Sequence, residues 1–132
     1  MATSNTEGTA RRSIAIEGLS HQTAIPVASK VGPLLASSVI APFDPGTRNV
    51  PDSIEAQYAN IFRHAELMLQ EAGGGWEHVV KMEFWLAQAA DRPALEPFWV
   101  ERFPDEESRP ARHTHVGQVK RMSGSLLAYI EV

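Results

Sequence analysis

The chain has 132 residues and a mass of 14.5 kDa, with 43% hydrophobic and 21% charged residues, which fits one domain of ordinary globular composition. Lys+Arg number 12 against 16 Asp+Glu, a formal charge of −4; with no basic run, this argues against a nucleic-acid partner. There is no cysteine, which excludes disulfides, iron–sulfur clusters, thiolate zinc sites and cysteine nucleophiles together. No apolar run approaches the ~20 residues that span a bilayer, and Arg11 and Arg12 precede no apolar stretch of the kind a secretory signal carries. A cytoplasmic protein with no membrane partner is expected.

Residues 1–10 are small and polar and read as a flexible N-terminal tail; residues 11–132 form a single domain. Arg12 to Ile16 is a short first strand. Val27 to Val31 and Leu34 to Ile40 are two strands joined by the turn dipeptide Gly32-Pro33. The apolar spacing of the second suits burial on both faces. Pro42 to Pro51 is a loop rich in proline, long for a plain connection. Ile54, Tyr58, Ile61, Ala65, Met68 and Ala72 then line one face of a helix over Ser53 to Ala72. Asp52 and Glu55 have the spacing of a capping box, and Gly73 to Gly75 can close the helix with a left-handed residue.

His78 to Ala87 alternates as a strand, with Val80, Met82, Phe84 and Leu86 on one side. Asp91 opens a second helix, with Pro93 in its first turn and Leu95, Phe98, Trp99 and Phe103 on its apolar side. Ala111 to Val119 and Ser125 to Val132 close the chain as strands. The order is βββαβαββ, an α+β domain whose two helices cover one sheet face. Val79, Trp85, Leu127 and Tyr129 fall on the other face. Left in water they would form a large apolar patch, so a homo-oligomer is expected.

Few motifs carry chemistry. The chain has no dinucleotide fingerprint, phosphate loop, nucleophile elbow or HExxH helix. Gly73-Gly74-Gly75 follows a helix rather than opening one, so it offers no cradle for phosphate. His113 and His115 share a strand face and could ligate a metal, but no third ligand stands near them in sequence, so no metal is expected. His64 falls between apolar helix positions and reads as a surface residue. Arg112 alternates with Thr114 and opposite the two histidines. Placed on the face reserved for a neighbour, its planar fork suits a carboxylate. On spacing alone, an ion pair with one of the 16 acids is the better reading. Glu131 shares a strand face with Tyr129 and by periodicity faces solvent; in a cleft it could handle a water.

The span from about Ile16 to Val132 resembles the RidA/YjgF family of imine deaminases. The resemblance is carried by Val31-Gly32-Pro33-Leu34-Leu35-Ala36-Ser37-Ser38, Asp44-Pro45-Gly46-Thr47, Gln57, Leu69 through Gly73, Val79-Val80-Lys81, Phe103-Pro104 and Pro110-Ala111-Arg112, in that order. It implies a chorismate-mutase-like fold, a homotrimeric barrel with sheets inward and helices outward, and three clefts between subunits. It also implies hydrolysis of 2-imino or 2-enamino acids to 2-oxo acids and ammonia, without a metal or organic cofactor. Arg112 would then hold the carboxylate of a small substrate. Ser37, Ser38 and Thr114 would line the cleft. Tyr129 falls where the family has a water-handling glutamate, with Glu131 the next acid on that strand face. Glu96 replaces a usual asparagine, and His21 lies nearest the position of an N-terminal tyrosine. These departures suggest a divergent branch similar to 2-aminomuconate deaminase. A trimer that binds a small acid or a protein partner without turnover is the other reading, favoured by the loss of the glutamate at Tyr129.

Overall fold

The computed structural model describes residues 10–131. The elements follow as β1 (Arg12–Ile14), β2 (Ala28–Val31), β3 (Leu34–Ser37), α1 (Ile54–Glu71), β4 (Val79–Leu86), α2 (Leu95–Arg102), β5 (Ala111–Val116) and β6 (Ser123–Tyr129), with 3-10 turns at Trp76–His78 and Ala89–Asp91. This is the expected βββαβαββ order. The proposed tail, apart from Ala10, lies outside the described residues, as does Val132 at the end of the last predicted strand.

All six strands join one sheet in the order β1-β2-β3-β6-β4-β5. Every pairing is antiparallel except β4 with β5, which run parallel because α2 carries the chain back between them. That crossover leaves β5 at the sheet edge.

The core lies between the helices and one face of the sheet. Tyr58, Ile61, Phe62, Met68 and Leu69 of α1 are fully buried, as are Met82, Phe84 and Leu86 of β4. The ring of Phe84 lies 6.3 Å from that of Tyr58 and 5.8 Å from that of Phe62. Burying each such side chain contributes about 1.5–3 kcal/mol.

Three local features differ from the sequence expectation. Ser53, not Asp52, caps α1: its backbone is extended and its Oγ accepts the Ala56 N–H at 3.0 Å. The third helical position is then Ala56, so Glu55 cannot complete a capping box. A bulge between Val79 and Lys81 turns Val79 inward and leaves Val80 exposed, breaking the alternation at one residue. Asp91 ends a 3-10 turn instead of starting α2, and its carbonyl accepts the Tyr58 hydroxyl at 2.9 Å. Helix α2 begins only at Leu95, with Pro97 in its first turn, where an N–H would have no acceptor within the helix.

The C-terminal end of α1 is closed as expected. Gly73 has φ +89°, its N–H reaches Gln70 O, and the Gly74 N–H reaches Leu69 O at 2.8 Å.

The opposite sheet face is open and divided. Across β2, β3 and β6, Val31 pairs with Leu34 and Leu34 with Tyr129; Leu34 is 47% and Tyr129 50% exposed. Leu35 is fully buried, so β3 is covered on one face only, contrary to the two-sided burial expected. Across β6, β4 and β5 one row is polar, Ser125, Glu83 and His113, and the next sets Trp85 between Ser123 and His115.

Candidate functional site

Arg112 sits on edge strand β5 beside Met82, a core residue of β4. It therefore points to the helix side of the sheet, not to the open face that sequence reasoning assigned it. Alternation fixed which residues share its side; the parallel pairing with β4 decided which side that is. Its Nη2 donates to Glu96 Oε1 at 2.6 Å, from the first turn of α2. The guanidinium lies over the Trp99 ring, 4.9 Å from its centroid, a stacking contact that holds the fork in place.

The second arm of that fork is unsatisfied. Arg112 Nη1 is buried and has no hydrogen-bond partner among the described residues. Thr114 Oγ1, two residues on and on the same side of β5, is likewise buried without a partner. Buried polar groups left unpaired are costly, and these two, on one side of the same strand, are donors of the kind a carboxylate or other small oxyanion accepts from. Tyr58 stands in the same electrostatic neighbourhood. Burial, reinforced by the Asp91 carboxylate, pushes its hydroxyl up to about 12, against the lowering pull of Arg112 and Arg92. It remains a hydrogen-bond donor.

The other predicted residues lie elsewhere. Ser37 Oγ accepts the Leu126 N–H, tying β3 to β6, and Ser38 Oγ donates to Pro26 O, both at 2.8 Å, so each hydroxyl is used within the chain. Tyr129 is on the open face, opposite to Arg112, and Glu131 is exposed beyond the end of β6. His21 lines a separate cavity of about 260 Å³ with Phe43, Arg48, Met68 and Arg121. The structure thus brings Arg112, Thr114 and Glu96 together, and leaves Ser37, Ser38, His21, Tyr129 and Glu131 apart from them. Sequence reasoning missed Trp99 as a platform for Arg112, because helical spacing marks it only as apolar.

His64 is a second correction. It is 2% exposed, and its Nε2 lies 2.7 Å from Phe43 O. Burial lowers its pKa first, with the Arg63 charge adding to it and the Phe43 bond opposing. It pins the proline-rich loop to α1, together with Asn60, whose amide reaches Pro42 O and Asp44 Oδ1. His113 and His115 have no acid near them in sequence, but the fold brings one beside them. It is Glu83 of β4, and one N or O atom from each of the three side chains lies within 4.8 Å of the others.

Comparison with known proteins places this geometry in a family. The sequence profile of the family described as Endoribonuclease L-PSP matches residues 18–132. A RutC family protein of Synechocystis sp. is 35% identical over 71 residues, 52% of this chain and 54% of that protein, so the chain aligns with about half the length of this curated relative. The crystal structure of YyfA from Yersinia pestis, described as a protein of unknown function of the conserved Rid family, superposes with a TM-score of 0.83 at 18% identity, covering 92% of this chain and 100% of that one. RidA from an Antarctic Psychrobacter superposes with a TM-score of 0.77 at 24% identity, over 90% of this chain and 100% of that one. Those two likenesses establish the shared fold, and the profile match over most of the sequence establishes kinship: this chain belongs to the Endoribonuclease L-PSP, or RidA/YjgF, family.

Proposed function

We propose that the chain is a hydrolytic deaminase of small 2-imino or 2-enamino acids, acting as a cytoplasmic homotrimer. The observation that carries this reading is that Arg112 Nη1 and Thr114 Oγ1, on the same side of β5, are both buried without a partner among the described residues. A substrate carboxylate would accept from both, while Glu96 and Trp99 hold the guanidinium still. A protonated imine beside that carboxylate is already electrophilic. Water adds to its carbon, a proton passes to nitrogen, the C–N bond breaks, and a 2-oxo acid and ammonium result. Positioning and fixed charge supply most of what the step needs, and no cofactor is called for.

Tyr129 and Glu131 are the groups proposed to handle the water. Tyr129 lies on the opposite sheet face from Arg112 in one chain and Glu131 beyond its strand, so they meet the substrate only if a neighbouring copy contributes them. The deaminase reading therefore requires assembly, and the exposed row of Val31, Leu34 and Tyr129 is the surface proposed to be covered by it. Ser37, Ser38 and His21 enter the reading on the same condition. A ring-cleavage product such as 2-aminomuconate is the proposed pathway-specific substrate, its second carboxylate reaching polar groups at the cleft mouth.

The test is ammonia release from freshly generated 2-iminopropionate and from 2-aminomuconate. Arg112→Ala should lower kcat/KM by about 100-fold or more, and Arg112→Lys should recover little, because an ammonium cannot reproduce the two-armed grip. Acceleration that persists in Arg112→Ala removes this residue from the mechanism. A binding protein without turnover is the second reading, favoured by Tyr129 standing in place of an acid; Arg112-dependent binding of pyruvate with no ammonia release would support it. RNA cleavage, suggested by the family's description, sits poorly with a charge of −4, and RNA binding that is flat with salt would count against it.

A further inference from the structure

We propose that Glu83, His113 and His115 form a binding site for a divalent transition-metal ion of the zinc type, on the open sheet face opposite Arg112. The site is built by the parallel β4–β5 pair. Glu83 is in register with His113, and Trp85 with His115. Laterally paired residues and residues two apart on a strand point the same way, so one carboxylate and two imidazoles project together from neighbouring strands. His115 Nε2 lies 2.8 Å from Glu83 Oε2, and His113 Nδ1 lies 4.0 Å from the same oxygen. The two imidazole rings are 4.0 Å apart. Trp85 stacks on His115 at 4.9 Å with an interplanar angle of 9°, fixing that ring.

An ion pair explains the Glu83–His115 contact and nothing more. It gives no reason for a second imidazole to converge on the same oxygen, where protonated rings would repel. A metal ion accounts for all three. Two neutral imidazoles and a carboxylate are a donor set that zinc and its neighbours accept, whereas calcium and magnesium take oxygen donors almost throughout. Metal–ligand distances of about 2.0–2.2 Å place tetrahedral donors ~3.3 Å apart. The close contact must open slightly and the wider one close. His113, whose side chain is 59% exposed, has the freedom to do this by rotating. Three protein donors leave a fourth position for water or an outside ligand.

The experiment uses full-length protein free of any polyhistidine tag and stripped with EDTA. Zinc is titrated by calorimetry, and cobalt is followed by its visible ligand-field absorption. One ion per chain is expected, with His113→Ala and Glu83→Gln each weakening zinc by about 100-fold. Zinc should raise the melting temperature of wild type but not of either variant. Arg112→Ala, altered on the other face, should bind zinc as wild type does. His113 is exposed, so its variant tests the site even if Glu83→Gln folds poorly. Zinc affinity equal in wild type and His113→Ala, or no binding by wild type, overturns the proposal.

Discussion

A buried imidazole such as His64 makes stability depend on pH. Its folded pKa is depressed, so its neutral form is favoured in the native state. Its contribution is complete above the unfolded value of about 6.5 and is lost as pH falls toward the folded value. Tyr58 has the opposite sense: raised to about 12 from 10.0, it contributes fully below its unfolded value and loses that contribution as pH climbs between the two. His64→Gln keeps an N–H donor for Phe43 O but cannot titrate. Thermal melts from about pH 7.5 down to about pH 5.5 should show a shallower decline for that variant than for wild type. Equal declines would mean that His64 does not govern acid sensitivity. Arg112 belongs at this scale too, since one arm of its guanidinium bonds Glu96 and the other has no partner among the described residues, where the proposed carboxylate would sit.

Single-residue offsets govern the elements. Ser53→Ala should lower stability by about 1 kcal/mol, the usual worth of a side-chain cap. Asp52→Ala should cost only a few tenths, and urea denaturation of the pair distinguishes the observed cap from the predicted one. The body of α1 was legible because six apolar residues repeat at helical spacing, and both ends of the helix were legible to within a residue. The bulge at Val79 was not, because a sequence does not reveal where one extra residue enters a ladder. Arg112 and the histidine pair show the same limit. Alternation told that Arg112 and His113 lie on opposite sides of a strand. Which side faced the helices, and which acid stood beside His113, depended on pairing with β4, about 30 residues earlier in the chain.

At the scale of the whole molecule, the sheet keeps one face dry with its own helices and leaves the other open. Val31, Leu34 and Tyr129 form an apolar row across three strands there. Leu34→Glu should place a charge in that row and yield single chains by sedimentation velocity, with deaminase activity lost alongside assembly. A stable assembly of unchanged mass would dissociate this row from the proposed interface. The order of strands was readable in outline, yet the closure of the sheet through β6 between β3 and β4 was not, since no local signal names a strand's distant neighbour. The edge strand β5 carries an unusual evolutionary constraint. The loop before it can absorb a change of length, but an amino acid added or lost within the strand beside Arg112 cannot be absorbed. A one-residue slip against β4 would turn the strand over, sending the guanidinium outward and the imidazoles inward, and erase both arrangements in one event.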